Sequence, residues 1–273
     1  MQKLAMGNLR VVSKDLAQKF WIPVQDFKVF SRESLCPVAF DELDNVCHLA
    51  PIFFVKEGED EGTFIPVLLL GFLPEQNLFL GPNGEWLGKE LPWAFKAFPF
   101  SLGKTQDGNY VLLIDEEHLS DTPKPISFSL FREDGNLAPE VTRIAQFLFL
   151  RENGYARCRE LATILGRMEL LTPYSFVLDF GREKKRIEGL YRLDMQKFVS
   201  LDDSSFLKLR QNQALHLIYA HFFSLANFSR LVDLWKLRQK TVSSAGGLQQ
   251  KALDLSQTQD LEKMLKEIKF PND

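Results

Sequence analysis

The stretch YAHFFSLAN, residues 219–227, sets His221 and Ser224 three positions apart, a spacing that puts both side chains on one face of a helix. A Ser–His pair is the beginning of nucleophilic catalysis, with the imidazole as base and the hydroxyl as nucleophile. On a straight helix this spacing supplies neither an oxyanion hole nor a strained elbow. The residues therefore favour a buried polar network that ties the helix to a neighbouring segment. Glu42 joins His221 and Ser224 as a candidate member of that network, and an enzyme with a site around these three stands as the alternative.

Metal chemistry fails on geometry. The four histidines are His48, His118, His216 and His221. His216 and His221 share a helical stretch but lie five residues apart, about 140° around the axis, so they cannot hold one ion from one face. His48 follows Cys47 without a second pair at ligand spacing. Cys36, Cys47 and Cys158 form no CxxC and read as reduced thiols of a cytoplasmic protein. Asp115, Glu116 and Glu117 cluster carboxylates, but neighbours on a strand point to opposite sides. No catalytic, metal or cofactor-binding residue is assigned, and no cofactor is expected.

The densest chemistry is aromatic. NLFLGPNGEWLGKELPWAFKAFPF, residues 77–100, holds four Phe, two Trp and three Pro around a Gly-rich turn. The prolines prevent a continuous helix or a central strand. Its rings either wedge into the core as a lid or form a contact patch. Trp86, Trp93, Phe95 and Phe98 are the candidate contact surface, facing a protein or peptide partner.

These residues sit in a chain of 273 residues that is 45% hydrophobic and 25% charged, enough for a sizeable core. Its net charge of −3 argues against nucleic acid as a partner. The basic run Arg182, Lys184, Lys185 and Arg186 reads as a solvated hairpin tip. The N-terminus lacks the apolar core and cleavage site of a signal peptide, and no apolar run is long enough to span a bilayer. A cytoplasmic location follows as the expectation, with export by a route without a cleaved signal left open.

The expected fold class is α+β, with a β-rich half over residues 1–135 and a helical half over 136–242. Within the first half, 38–50 reads as a short helix and 52–73 as a hairpin, with strands at 77–80, 109–115 and 126–131. Within the second, 140–152 and 156–166 read as two helices separated by Gly154, followed by a hairpin over 176–194. A long helical segment then runs from Asp202 toward Lys240. Residues 243–247 read as a flexible linker within a 243–273 tail. In that tail, Leu261, Met264, Leu265 and Ile268 fall at i, i+3, i+4 and i+7 behind a Ser256–Gln259 capping box. Such a short helix needs a surface, either on its own domain or on a partner.

Several ordered blocks resemble the SapC family of bacterial proteins, over roughly residues 30–235. The series runs from Pro37, Glu42 and Pro51 through LLLGFLPEQNLFLGPNGEW and LPWAFKAFPF. It continues through IDEEHLSD, LFREDGN and IEGLYRLD to ALHLIYAHFFSLANFSRL, which carries His221, Ser224 and Leu225. Leu43 departs from the family's pattern, where a Phe is expected after the Glu. The resemblance carries over no catalytic residue. It implies a part in surface-layer formation or export, in gene neighbourhoods with TonB-dependent receptors, tryptophan-halogenase-like proteins and cupin-like proteins. A non-catalytic binding or scaffold accessory of an envelope pathway is the expected role; a structural surface-layer component is the other alternative. A homo-oligomer stays open.

Overall fold

The computed structural model describes residues 7–24, 26–58, 62–179 and 184–246. The strands are β1 (Leu9–Val11), β2 (Phe20–Trp21), β3 (Leu35–Pro37), β4 (Ile52–Lys56), β5 (Phe64–Leu69), β6 (Phe100–Lys104), β7 (Tyr110–Asp115), β8 (Leu119–Ser120), β9 (Phe128–Ser129), β10 (Leu171–Asp179) and β11 (Lys184–Leu193). The helices are α1 (Leu43–Val46), α2 (Trp93–Lys96), α3 (Pro139–Arg167), α4 (Met195–Val199), α5 (Asp203–Gln211), α6 (Ala214–Ser224) and α7 (Phe228–Gly246). The fold is α+β, with the sheets dominated by the first half of the chain and the longer helices in the second.

A five-stranded sheet in the order β10-β11-β4-β5-β3 forms the centre, and every pairing in it is antiparallel. IFFV and FIPVLL supply the apolar runs expected of buried strands, and β4 and β5 pair from Ile52↔Leu68 to Lys56↔Phe64. Pro66 is tolerated inside β5 because its missing donor falls where β3 is ending: Pro37 pairs with Val67, and beyond it only the Val38 N–H reaches the Pro66 carbonyl. The β10–β11 hairpin joins this sheet through β11 and β4, so strands from both halves of the chain share one ladder. The tip at 180–183, with Arg182, lies outside the described residues.

Two smaller three-stranded sheets, β1-β7-β6 and β8-β2-β9, enclose a second core around Trp21, Phe100, Ile114 and Leu130. One helix serves both cores. α3 gives Val141 and Leu148 to the second core, and Cys158, Leu161 and Leu165 to the first.

That helix corrects the sequence reading. Two helices stopped at Gly154 were expected, yet α3 runs unbroken through 29 residues. Gly154 is there for closeness: a Cβ added to it would lie 2.8 Å from the Ala39 Cβ and 3.1 Å from the Phe40 nitrogen. The long segment expected after Asp202 is instead divided into α5, α6 and α7, with Gln213 at φ 60° marking the first break. The strand expected at 77–80 is reduced to an isolated Leu80–Trp86 bridge. α7 continues to Gly246, through most of the expected 243–247 linker, while the capping box and apolar face at 256–268 lie outside the described residues.

Candidate functional site

Helix α6 brings His221 and Ser224 against the N-terminal end of β4. Ser224 Oγ accepts the Ile52 N–H at 2.8 Å and donates to the His221 carbonyl at 2.6 Å. His221 Nδ1 lies 2.7 Å from the Ile52 carbonyl, and its Nε2 accepts the Leu193 N–H at 3.2 Å. Because Nε2 must accept, the proton sits on Nδ1 and is donated to Ile52. Both side chains are fully buried, and burial lowers the His221 pKa to about 4. A neutral imidazole whose two nitrogens are committed to backbone groups holds strands together. It offers no free lone pair to activate a hydroxyl.

Two more polar contacts seat α6 and the turn that follows it. His216 Nε2 is 2.7 Å from Asp44 Oδ1, and Asn227 Nδ2 donates to the Cys47 carbonyl at 2.7 Å. Together these contacts join α6 and the turn after it to β4, the end of β11 and the α1 turn.

Glu42 belongs to a different network. Its Oε1 accepts the Ala39 N–H at 2.9 Å, closing the turn that precedes α1, and its Oε2 accepts the Trp93 N–H at 2.7 Å at the start of α2. Burial raises its pKa to about 7, against the opposing pull of those two backbone donors and of Lys96 and Arg151. The carboxyl anchors the aromatic segment. It has no hydrogen bond to His221 or Ser224 among those described, so the three residues do not form one network.

The candidate contact surface is also redistributed. Phe95 and Phe98 are only 2% and 8% exposed and stand against Phe30 at ring distances of 4.2 and 5.3 Å, so they belong to the core and leave no face for a partner. Trp86 is half-buried: it stacks on Phe79 at 5.5 Å and donates its indole N–H to the Glu90 carbonyl at 2.7 Å. Trp93, also half-buried, rests edge-on against Phe147 of α3 at 5.1 Å. Phe95 and Phe98 lie in the main core, and Trp86 packs against it. Among the described residues there is no group of three or more His, Cys, Asp or Glu able to hold a metal ion. The three cysteines are free and buried, and burial raises each thiol pKa.

The family model of SapC matches residues 12–231, which takes in both networks and the aromatic segment. The chain belongs to the SapC family. No curated protein and no solved structure matches it.

In this SapC-family chain one exposed apolar surface lies on the outer side of α6, another around Leu150 and the Tyr110–Phe149 ring pair. Tyr219 and Phe223, one turn apart, stack at 6.4 Å and are 42% and 55% exposed. Phe198 of α4 links them to Phe206 of α5, at ring distances of 6.4 Å to Tyr219 and 6.1 Å to Phe206. Val199, next to Phe198 in the chain, is 66% exposed. Sequence reasoning passed over these residues while weighing His221 and Ser224 in the same stretch. The signal was composition: ALHLIYAHFFS has no Asp, Glu, Lys or Arg over its 11 residues, and a helix apolar on all sides is normally enclosed on all sides.

A broad open cleft of about 620 Å³ beside the start of α3 is lined by Phe128, Phe131, Arg132, Asp134 and Glu140 among others, and it contains none of these site residues. Among the described residues no helix is long and apolar enough to cross a membrane.

Proposed function

We propose that this SapC-family protein works by binding, as a non-catalytic scaffold or accessory, with the outer face of α6 and its α4–α5 neighbours as the working surface. The observation that carries the reading is the exposed ring series Phe206, Tyr219 and Phe223 beside and along a helix without charged side chains. An amphipathic partner helix laid along that stripe would bury Tyr219 and Phe223, four residues apart on α6, together with Phe206 beside them. The polar residues with catalytic potential support the same reading, since their hydrogen bonds are spent on backbone. We take the partner to be a protein or peptide of an envelope or surface-layer pathway, following the setting implied by the family resemblance.

The test is affinity capture from the native organism with the intact chain and with Phe223→Ser. Phe223 is exposed, so the variant keeps its fold while losing the anchor. A protein captured by the intact chain and lost from the variant supports the reading. Identical capture profiles would move the binding surface elsewhere, and turnover of a small molecule by the intact chain would replace binding with catalysis.

A further inference from the structure

Helix α3 carries a buried cation whose hydrogen-bonding groups are only partly used. Arg151 is 6% exposed, and its Nη2 donates to Glu152 Oε1 at 3.0 Å. Its Nε and Nη1 are enclosed and have no hydrogen-bond partner among the described residues. One turn on, Tyr155 is 7% exposed, and its hydroxyl is enclosed and unpartnered in the same way. The guanidinium carbon lies 5.6 Å from the centre of the Tyr155 ring, so the two groups share one surrounding. We propose that Arg151 and Tyr155 bind a small monoanionic carboxylate where α3 meets the turn at 39–42.

The fold places this site with some care. Residues 151, 154 and 155 fall at i, i+3 and i+4, on one face of α3. Gly154 brings that face against the turn, since a Cβ on it would stand 2.8 Å from the Ala39 Cβ. Phe147, one turn before Arg151, meets Trp93 of α2 at 5.1 Å. Glu42 ties the turn to α2 by accepting from Ala39 and Trp93, so its oxygens already have donors. On the other side Glu152, whose side chain is 30% exposed, marks the way to solvent.

Buried polar groups are nearly always paired, and an enclosed guanidinium is penalised further for its charge. The unmet groups here are all donors, two of them on a cation, and two acceptor oxygens on one anion answer them. The neighbouring charges limit that anion to a single charge. Arg151 acts electrostatically on Glu42 and on Cys36, and Glu33 also acts on Cys36, so a dianion would meet two acidic side chains. Cys36 and Tyr155 add no charge, because burial holds the thiol and the phenol well above their ordinary ranges. Glu42, pushed up to about 7 by burial, mostly carries its proton at pH 6, and Lys96 adds a cation near it. The enclosure favours a short acid over the end of a longer chain.

The α6 face takes no part, so the outcome is independent of partner capture. Sodium acetate is titrated into the full chain at pH 6, with sodium chloride, sodium sulfate and N-acetylglycine compared at matched ionic strength. Amide resonances of residues 151–155 should follow a saturable acetate isotherm, with no saturation by chloride and weaker binding of sulfate and N-acetylglycine. Tyr155→Phe removes only the hydroxyl. It should keep the wild-type urea midpoint and bind acetate about tenfold more weakly, as expected for a lost hydrogen bond to a charged group. Arg151→Met should abolish the isotherm. Absence of saturation by acetate would overturn the proposal, as would an equal response to chloride or tighter binding of sulfate or N-acetylglycine. Undiminished acetate affinity in Tyr155→Phe would overturn it too, and that variant decides the matter even where Arg151→Met fails to fold. A lowered urea midpoint in Tyr155→Phe would show the hydroxyl to be paired within the fold, which removes the site.

Discussion

Leu193 and Ile52 stand opposite each other in the register of β11 and β4, yet an imidazole lies between them. The pair Tyr191↔Phe54 sets the register, and two residues on, the rung between the strands is completed through His221. Leu193 donates to Nε2, and Nδ1–H donates to Ile52, so a side chain from α6 takes the place of a direct backbone bond. Replacing it with an apolar residue of similar size would leave one buried donor and one buried acceptor unpaired. His221→Leu is therefore expected to cost about 2–5 kcal/mol in urea denaturation, and Ser224→Ala about 1–3 kcal/mol through the orphaned Ile52 N–H. A His221→Leu protein as stable as wild type would show that the rung is dispensable.

The same imidazole sets a lower pH limit. Its pKa in the fold is about 4 against an ordinary 6.5, so its contribution is complete above 6.5 and is lost as pH falls through 4. The chemistry behind the sign is local: protonated Nε2 would point an N–H at the Leu193 N–H. Glu42 works in the opposite direction. Its pKa rises to about 7 from 4.5, so its contribution is complete below 4.5 and is lost as pH rises through 7. Each shift corresponds to about 3 kcal/mol, and between pH 4.5 and 6.5 the two slopes oppose each other. Single variants should separate them. Stability of Glu42→Gln should fall as pH drops through this window, and that of His221→Leu should fall as pH rises. Denaturant midpoints across the window measure both, and parallel curves for the two variants would refute the assignment.

Glu42 also makes a prediction at fixed pH. A carboxylate accepts from Ala39 and Trp93 together, whereas a Gln side chain has one oxygen and must turn its amide N–H₂ toward one of the two donors. Glu42→Gln at pH 8 should loosen the start of α2, with the Trp93 and Phe95 amides exchanging faster while those of β4 keep their rates. Unchanged exchange at Trp93 would mean that α2 is held by ring packing alone.

Much of the architecture was legible because it depends on local pattern. The β4–β5 hairpin followed from two apolar runs around an acidic turn, and the β10–β11 hairpin from alternation about a charged tip. What escaped depended on neighbours distant in sequence. Phe95 and Phe98 have the composition of a contact patch, and only the position of Phe30, far earlier in the chain, turns them into core. Tyr219 and Phe223 look like core by type, and only the packing of α6 on its opposite side leaves them outside. His221 and Ser224 were recognisable as a structural tie, but their common partner at Ile52 lies about 170 residues away and is fixed by the sheet.

Gly154 gives the most direct test of that distinction between local and distant causes. By propensity alone, Ala in the middle of a 29-residue helix is better than Gly by about 1 kcal/mol. By packing, its Cβ would have to displace Ala39 at 2.8 Å and crowd the Phe40 nitrogen and Asp41 Oδ2, at 3.1 and 3.3 Å, in the turn that Glu42 closes. Relief requires α3 to move away from that turn or the turn to open, and α3 is pinned at both ends by the two cores it joins. Overpacking of this kind costs about 1–3 kcal/mol, so packing should outweigh propensity and Gly154→Ala should lower the urea midpoint. The variant should also speed exchange at the Ala39 amide, whose N–H bonds the Glu42 carboxylate. A midpoint at or above that of wild type would show that the turn yields freely and that the close approach constrains nothing.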